Sequence, residues 1–190
     1  MKRSLALAVM IFLSIVMISR QSLADEKKYQ KTVEKYAVPD VSLVNQDGKK
    51  VPFKSYLETD KPVMVEFIYA TCTTICPVLS AGFANLQRKL GPDAALVRLV
   101  SISIDPENDS PQVMKDYLKK YSAGPGWDFL SGSRADIDAV MRAFDTYVSN
   151  KMYHLPLTLI RSPADGSWVR IKGLMGAADL QDELALITKK

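Results

Sequence analysis

The sequence predicts an α/β fold in which a mixed central sheet is flanked by helices. Strand-like and helical segments alternate in the first half of the chain, a pattern typical of parallel βαβ units. Two later strand-like segments, 156–160 and 168–171, are joined by a short turn and must pair antiparallel. At 190 residues, 47% hydrophobic and 24% charged, the chain has the size and composition of one globular domain.

The first 24 residues have the plan of a secretory signal peptide. Lys2 and Arg3 precede an apolar run from Leu5 to Ile18, and the predicted cleavage follows Ala24. Because the run is shorter than the roughly 20 residues of a membrane-spanning helix, we expect cleavage and export to the periplasm. Membrane attachment is expected only if the segment stays uncleaved.

Cleavage changes what the overall charge implies about partners. Three basic residues lie in the first 24, so their removal takes the formal charge from +4 to +1. Proteins that bind nucleic acids carry a dense basic face. The composition of the mature chain therefore argues against a nucleic-acid partner.

The mature chain begins with a polar segment. Residues 25–38 lack an apolar stripe and predict a mobile leader, so that the domain proper spans 39–190. An N-terminal β-hairpin is predicted around Asp47 and Gly48, because Asp-Gly supplies the positive φ of a tight turn. The later predicted elements are strands at 63–69, 96–104 and 127–130, and helices at 77–90, after Ser110, after Ser133 and around 180–187.

Cys72 and Cys76 are the two cysteines of the chain, and they directly follow the central apolar strand. In an exported protein such a pair is usually a structural disulfide, but closing so short a loop removes little entropy from the unfolded chain. Pro77 suits the first turn of a helix, whose free N–H groups lower the pKa of a nearby thiol. A thiol whose pKa is lowered in this way is a thiolate near neutral pH, and a thiolate serves equally as a redox nucleophile and as a ligand of a soft metal.

His154 is the only histidine of the chain, and it lies in a loop just before a predicted strand. If that strand lies beside the cysteine strand, their neighbouring ends bring the imidazole towards the thiols. Two thiolates and one imidazole suit copper as Cu(I) or Cu(II), whereas a closed zinc site needs a fourth ligand that no further Cys or His supplies. A histidine at the surface or at an interface is the alternative.

The order of these motifs resembles the Sco/SenC family. The resemblance covers roughly residues 38–190 and rests on Cys-x₃-Cys-Pro, on the segment around Asp105–Pro111 and on the late histidine before Leu-Thr-Leu-Ile. It implies a thioredoxin-like fold and one copper ion bound by Cys72, Cys76 and His154. It also implies a partner protein, a copper-site apoprotein such as a cytochrome oxidase subunit, with Asp105–Pro111 as the candidate docking segment.

Two residues differ from what a plain copper carrier requires. Glu66 lies six residues before Cys72, where Sco proteins more usually have an uncharged residue, and Val-Glu-Phe looks like the thioredoxin pattern with a buried acid that handles protons. The alternative is an exposed or salt-bridged Glu66. Pro156 lies where thioredoxins have a cis proline, and the sequence leaves the isomer of the Leu155–Pro156 bond open.

These observations predict an exported copper metallochaperone that assists assembly of the copper site of cytochrome c oxidase. The second hypothesis is a thiol–disulfide oxidoreductase, in which Cys72 attacks, Cys76 resolves and Glu66 accepts the proton. A non-catalytic redox or copper sensor is the third.

Overall fold

The strand that leads to the cysteines, β4 (Val63–Ile68), lies inside the sheet and is buried at all six residues. A strand covered on both faces is a continuous apolar run rather than an alternation, which explains its sequence. The computed structural model describes residues 29–188 of the chain. The predicted signal peptide, residues 1–24, lies outside the described residues.

The described residues form one eight-stranded mixed sheet. Besides β4, its strands are β1 (Tyr29–Glu34), β2 (Ser42–Asn45), β3 (Lys50–Pro52), β5 (Arg98–Ser103), β6 (Trp127–Ser131), β7 (Leu157–Arg161) and β8 (Trp168–Gly173). Their order is β1-β8-β7-β4-β5-β6-β2-β3. β5 is parallel to both β4 and β6, and the other neighbouring pairs are antiparallel. The predicted mixed central sheet is confirmed.

Helices connect the parallel strands and cover the sheet. They are α1 (Phe53–Leu57), α2 (Cys76–Leu90), α3 (Pro111–Lys120), α4 (Arg134–Ala143) and α5 (Ala177–Thr188), with 3₁₀ turns at Gly91–Leu96 and Lys151–Tyr153. Ser110 and Ser133 cap the helices predicted to follow them, since their hydroxyls accept the N–H groups of Val113 and Asp136. α2 starts at Cys76, one residue before the predicted start at Pro77.

Aromatic contacts show that both faces of the sheet are covered. Under α2, the Phe83 and Trp127 rings lie 5.7 Å apart. Phe67, whose side chain points to the face opposite that of Glu66, packs 6.1 Å from the ring of Phe144 at the end of α4. The polar side chain of Glu66 is therefore enclosed in the protein interior rather than directed to solvent.

At one edge of the sheet the predicted hairpin is confirmed, and at the other edge a strand lies where the sequence predicted a mobile leader. β2 and β3 form the predicted N-terminal hairpin, with Gly48 at φ +74° in its turn. Residues 29–34, inside the predicted mobile leader, form the edge strand β1 and pair with β8 from Tyr29–Gly173 to Glu34–Trp168. This strand is held by backbone pairing and by the Lys31–Glu183 ion pair of 2.8 Å, so it needs little apolar burial. None of the helices within residues 29–188 is long and apolar enough to cross a membrane.

Candidate metal centre

The cysteine arm of the site is the loop between β4 and α2. Cys72 lies in this loop, where its N–H donates to the Tyr69 carbonyl over 3.1 Å, and Cys76 is the first residue of α2. Both thiols are free, and the exposed fractions are 6% for Cys72 and 0% for Cys76. The loop therefore presents two reduced sulfurs at the carboxyl end of a central strand, where α/β sheets favour ligand sites.

The histidine arm is the segment that enters β7. Because β7 runs antiparallel to β4, with Thr158 opposite Glu66, the start of β7 meets the end of β4. His154 precedes this strand, is 8% exposed, and packs edge-on against the Tyr69 ring at 5.4 Å. The strand neighbourhood predicted from the sequence is thus present, and the alternative of an exposed surface histidine is wrong.

The structure brings the three sequence-predicted ligands together. His154 Nε2 lies 3.5 Å from the Cys76 Sγ and 4.0 Å from the Cys72 Sγ, and all three ligand atoms lie within 4.8 Å of one another. Metal bonds of about 2.0–2.3 Å, the lengths typical for zinc, span atoms at such separations. The three side chains therefore have the spacing of a single metal site.

The two thiols differ in acidity because they differ in surroundings. Burial raises the pKa of the Cys72 thiol, but hydrogen bonds from the Cys76 side chain and backbone and from His154 outweigh it and lower that pKa to about 6. Burial and the hydrogen bond to Cys72 raise the pKa of Cys76. Cys72 is consequently the thiolate at neutral pH, and Cys76 is the thiol that must lose a proton.

Glu66, on β4, is fully buried. Its Oε1 accepts the hydroxyls of Ser80, over 2.9 Å, and of Ser101, over 2.7 Å, while its Oε2 has no hydrogen-bond partner. Burial raises the pKa of Glu66 to about 7 against the lowering effect of the two serine hydrogen bonds. The alternative of an exposed or salt-bridged Glu66 is wrong.

The polar network around this carboxyl group leaves no signal in the sequence. The Ser80 hydroxyl lies 2.9 Å from the Tyr117 hydroxyl, and the Trp127 Nε1–H donates to the Ser101 hydroxyl over 2.9 Å. Ser80 follows Cys76 by four residues on α2, and residues at this spacing share one helix face. The network therefore reaches the turn of α2 that begins with the second thiol.

The chain is similar to known proteins of one family. The family model described as SCO1/SenC matches residues 29–158. The chain belongs to the SCO1/SenC family. A Bacillus subtilis SCO1 protein homolog is 35% identical over 133 residues, which are 69% of this chain and 64% of the relative. An Arabidopsis thaliana mitochondrial SCO1 homolog is 33% identical over 110 residues, 56% of this chain and 31% of the relative, so the chain spans less than two thirds of either.

Solved Sco structures share the fold. The structure of BsSco, described as having a disulfide switch, superposes with a TM-score of 0.69 at 29% identity, covering 84% of this chain and 98% of that one. Copper-bound Bradyrhizobium japonicum ScoI gives a TM-score of 0.61 at 29% identity and covers 77% and 99% of the two chains. The thioredoxin-like Sco fold predicted from the resemblance is confirmed.

The structure also describes Pro156 and the segment Asp105–Pro111, which the sequence singled out. The Leu155–Pro156 bond is trans, since the described residues contain no cis peptide bond. In the segment Asp105–Pro111, the carboxylates of Asp105 and Asp109 face inward, with exposed fractions of 4% and 1%. A partner that docked on this segment would meet the exposed Glu107 rather than these two acids.

The raised pKa of Glu66 predicts how stability depends on pH. Its folded pKa of about 7 exceeds the ordinary value of 4.5, so its contribution to stability is complete below pH 4.5 and is lost as pH rises through 7. The gap corresponds to roughly 3 kcal/mol. We expect Glu66→Gln to stabilise the reduced, metal-free protein relative to wild type at pH 8, by an amount that shrinks towards pH 5.

Denaturant unfolding of both proteins at pH 5, 7 and 8 measures this difference in the free energy of unfolding. Trp127→Phe serves as the control, because it removes a donor to Ser101 but leaves the carboxyl group in place. This control should keep the pH dependence of wild type. Parallel stability profiles for wild type and Glu66→Gln would show that Glu66 does not titrate as described.

Proposed function

We propose that this protein is an exported copper metallochaperone that carries one copper ion on Cys72, Cys76 and His154. The observation that carries the proposal is the close grouping of these three donor atoms at the end of β4. Here copper is cargo, which the protein receives and passes on. The role in assembly of the cytochrome oxidase copper site is taken from the family.

The donor set favours copper over other metals. Thiolates suit Cu(I), and a set with one imidazole nitrogen is compatible with Cu(II). Zinc would require a fourth protein ligand for a closed structural site, and the chain has only two cysteines and one histidine. Copper in the Sco structures from Bradyrhizobium japonicum and Arabidopsis thaliana supports this choice.

The surface beside the site supports a protein as the acceptor. Met152, Tyr153 and Leu155, which flank His154, have exposed fractions of 66%, 74% and 68%. Neighbouring exposed apolar side chains commonly mark protein interaction sites. The partner we propose is a copper-site apoprotein such as a cytochrome oxidase subunit, which meets the protein here or at Asp105–Pro111. The pattern of residues 1–24 supports a periplasmic location, with membrane attachment if that segment is retained.

An anaerobic titration of the reduced protein with Cu(I) and with Cu(II) tests the proposal. We expect one tight site per chain, filled by either ion. The double variant Cys72→Ser, Cys76→Ser is the control, because both sulfur ligands are replaced by hydroxyls of similar size, and it should bind neither ion tightly. Absence of a stoichiometric site in the reduced wild-type protein would overturn the proposal.

A thiol–disulfide oxidoreductase is the second candidate function, and the buried Glu66 favours it. The Cys72 thiolate attacks a target disulfide, forming a mixed disulfide and releasing one target sulfur as thiolate. Glu66 takes up the proton that Cys76 loses, and the Cys76 thiolate attacks the Cys72 sulfur, which releases the second target sulfur. The target takes up two electrons and becomes a dithiol, with protons from Glu66 and water, while Cys72 and Cys76 form a disulfide. The disulfide switch described for BsSco supports this candidate.

A further inference from the structure

One acidic loop, residues 105–109, contacts both arms of the site. Asp105 and Asp109 stand at its two ends, where the Asp109 N–H donates to the Asp105 carbonyl over 3.0 Å. The Asn108 side chain also donates to the Asp105 carboxylate over 3.0 and 3.1 Å. These internal hydrogen bonds make the loop a closed turn, and the side chains of Asp105 and Asp109 are directed into the protein.

Asp109 attaches this turn to the cysteine arm. Its carboxylate accepts the N–H of Ala70, two residues before Cys72, over 3.2 and 3.3 Å, and the hydroxyl of Ser103 over 2.6 Å. The last ladder bond beyond β4 is the Ile104 N–H to the Ile68 carbonyl, so Asp109 satisfies a donor that lies past the end of the sheet ladder. The start of the cysteine loop is thereby held against the acidic turn.

Asp105 attaches the same turn to the histidine arm. Its carboxylate forms an ion pair with Lys151 Nζ, and the side chains are 6% and 32% exposed. Lys151 opens the 3₁₀ turn that directly precedes His154, and its carbonyl accepts the His154 N–H over 3.3 Å. Its Nζ also lies 5.0 Å from the centre of the Tyr69 ring, against which the imidazole packs.

We infer that Asp105 and Lys151 are positioning residues, which fix the distance between the His154 imidazole and the two thiols. The inference rests on the proposed copper site and adds to it the contact that sets its third ligand. Asp109 gives the acidic turn a fixed place on the cysteine arm, and the ion pair ties the histidine arm to that turn. Loss of a residue that orients a metal ligand typically lowers metal affinity about 10–100-fold.

Four variants of the full chain test the inference by anaerobic Cu(II) titration of protein that has been reduced beforehand and freed of reductant. Lys151→Met and Asp105→Asn each remove the ion pair, and we expect each to lower Cu(II) affinity about 10–100-fold. Their double variant should bind no more weakly than either single variant, because the same contact is lost in all three. Lys151→Arg keeps a cationic donor and should restore affinity to within a few-fold of wild type.

Glu107→Gln is the matched control. Glu107 lies in the same turn, and Glu107→Gln removes one negative charge, as Asp105→Asn does. The carboxylate of Glu107, however, pairs with Arg134 rather than with either arm of the site. We expect this control to bind Cu(II) as wild type does. An equal loss of affinity in Glu107→Gln would attribute the effect to general charge and would overturn the inference.

Spectroscopy distinguishes displacement of the His154 imidazole from a general loosening of the protein around the copper site. If the imidazole moves away, the electron paramagnetic resonance spectrum of Cu(II)-loaded Lys151→Met should lose nitrogen hyperfine coupling, and Lys151→Arg should regain it. Wild-type affinity and an unchanged spectrum in Lys151→Met would overturn the inference.

A metal-free measurement distinguishes failure of this inference from failure of the proposed function. In the reduced protein without metal, nuclear Overhauser contacts between the Tyr69 and His154 rings should be present in wild type and weakened in Lys151→Met. If wild type binds no copper, the proposed function fails, whereas these ring contacts still report on the positioning role. Ring contacts of equal intensity in the two proteins would overturn that role.

Discussion

His154→Ala is expected to lower Cu(II) affinity by more than 100-fold, beyond the about 10–100-fold that loss of an orienting residue costs. The substitution removes one of three donor atoms, and the two remaining sulfurs match Cu(I) better than Cu(II). The loss for Cu(I) should therefore be smaller than the loss for Cu(II). Titration of the reduced variant with each ion, under the conditions used for wild type, measures both.

The fold should survive this change. The imidazole Nδ1 is buried without a hydrogen-bond partner, and Nε2 contacts the two thiols, so the change takes one weak hydrogen-bond partner from each sulfur. The main cost is the contact with the Tyr69 ring. Tyr153→Ala is the matched control, because it removes the neighbouring exposed ring, and its copper affinity should equal that of wild type. Unchanged Cu(II) affinity and spectra in His154→Ala would remove the histidine from the site.

The sequence predicted this ligand set from the apolar strand before the cysteines, from the proline after them, and from the rule that ends of neighbouring strands lie close together. The cysteines follow an apolar run that forms a central strand, and Pro77 lies in the first turn of the helix after it. The position of His154 followed once its strand was assumed to neighbour that of Cys72, and β7 does pair with β4. Residues far apart in the chain can therefore be assigned to one site when each lies at the end of a strand that meets the same edge of the sheet.

Other features left no periodic signal in the sequence. β1 is a polar edge strand held by backbone pairing and by the contacts of Tyr29 and Lys31 with Glu183, so an apolar pattern could not distinguish it from a mobile leader. The face to which Glu66 points was also hidden, because every residue of β4 is buried and no alternation can be read. The contact between Asp105 and Lys151 joins residues 46 positions apart, and only the tertiary fold determines which opposite charges meet.

Glu66→Gln is expected to slow disulfide exchange with a small disulfide substrate by about 100-fold, the lower end of the range for general base catalysis. The carboxylate form of Glu66 becomes the major form above its pKa of about 7, so exchange by wild type should accelerate as pH rises through that value. The amide cannot accept a proton, and the variant should lack this step. Stopped-flow measurement of exchange rates from roughly pH 5 to pH 9 checks both expectations.

The same variant separates the two candidate functions. Glu66 touches neither His154 nor either sulfur in the described hydrogen bonds, so Glu66→Gln should bind copper as wild type does. Trp127→Phe, which disturbs the same network but keeps the carboxyl group, should retain the pH-dependent acceleration. Equal rates for wild type and Glu66→Gln at every pH would remove Glu66 from the chemistry. The buried acid would then be a feature of the core, and the thiols would be left with copper carriage as their supported role.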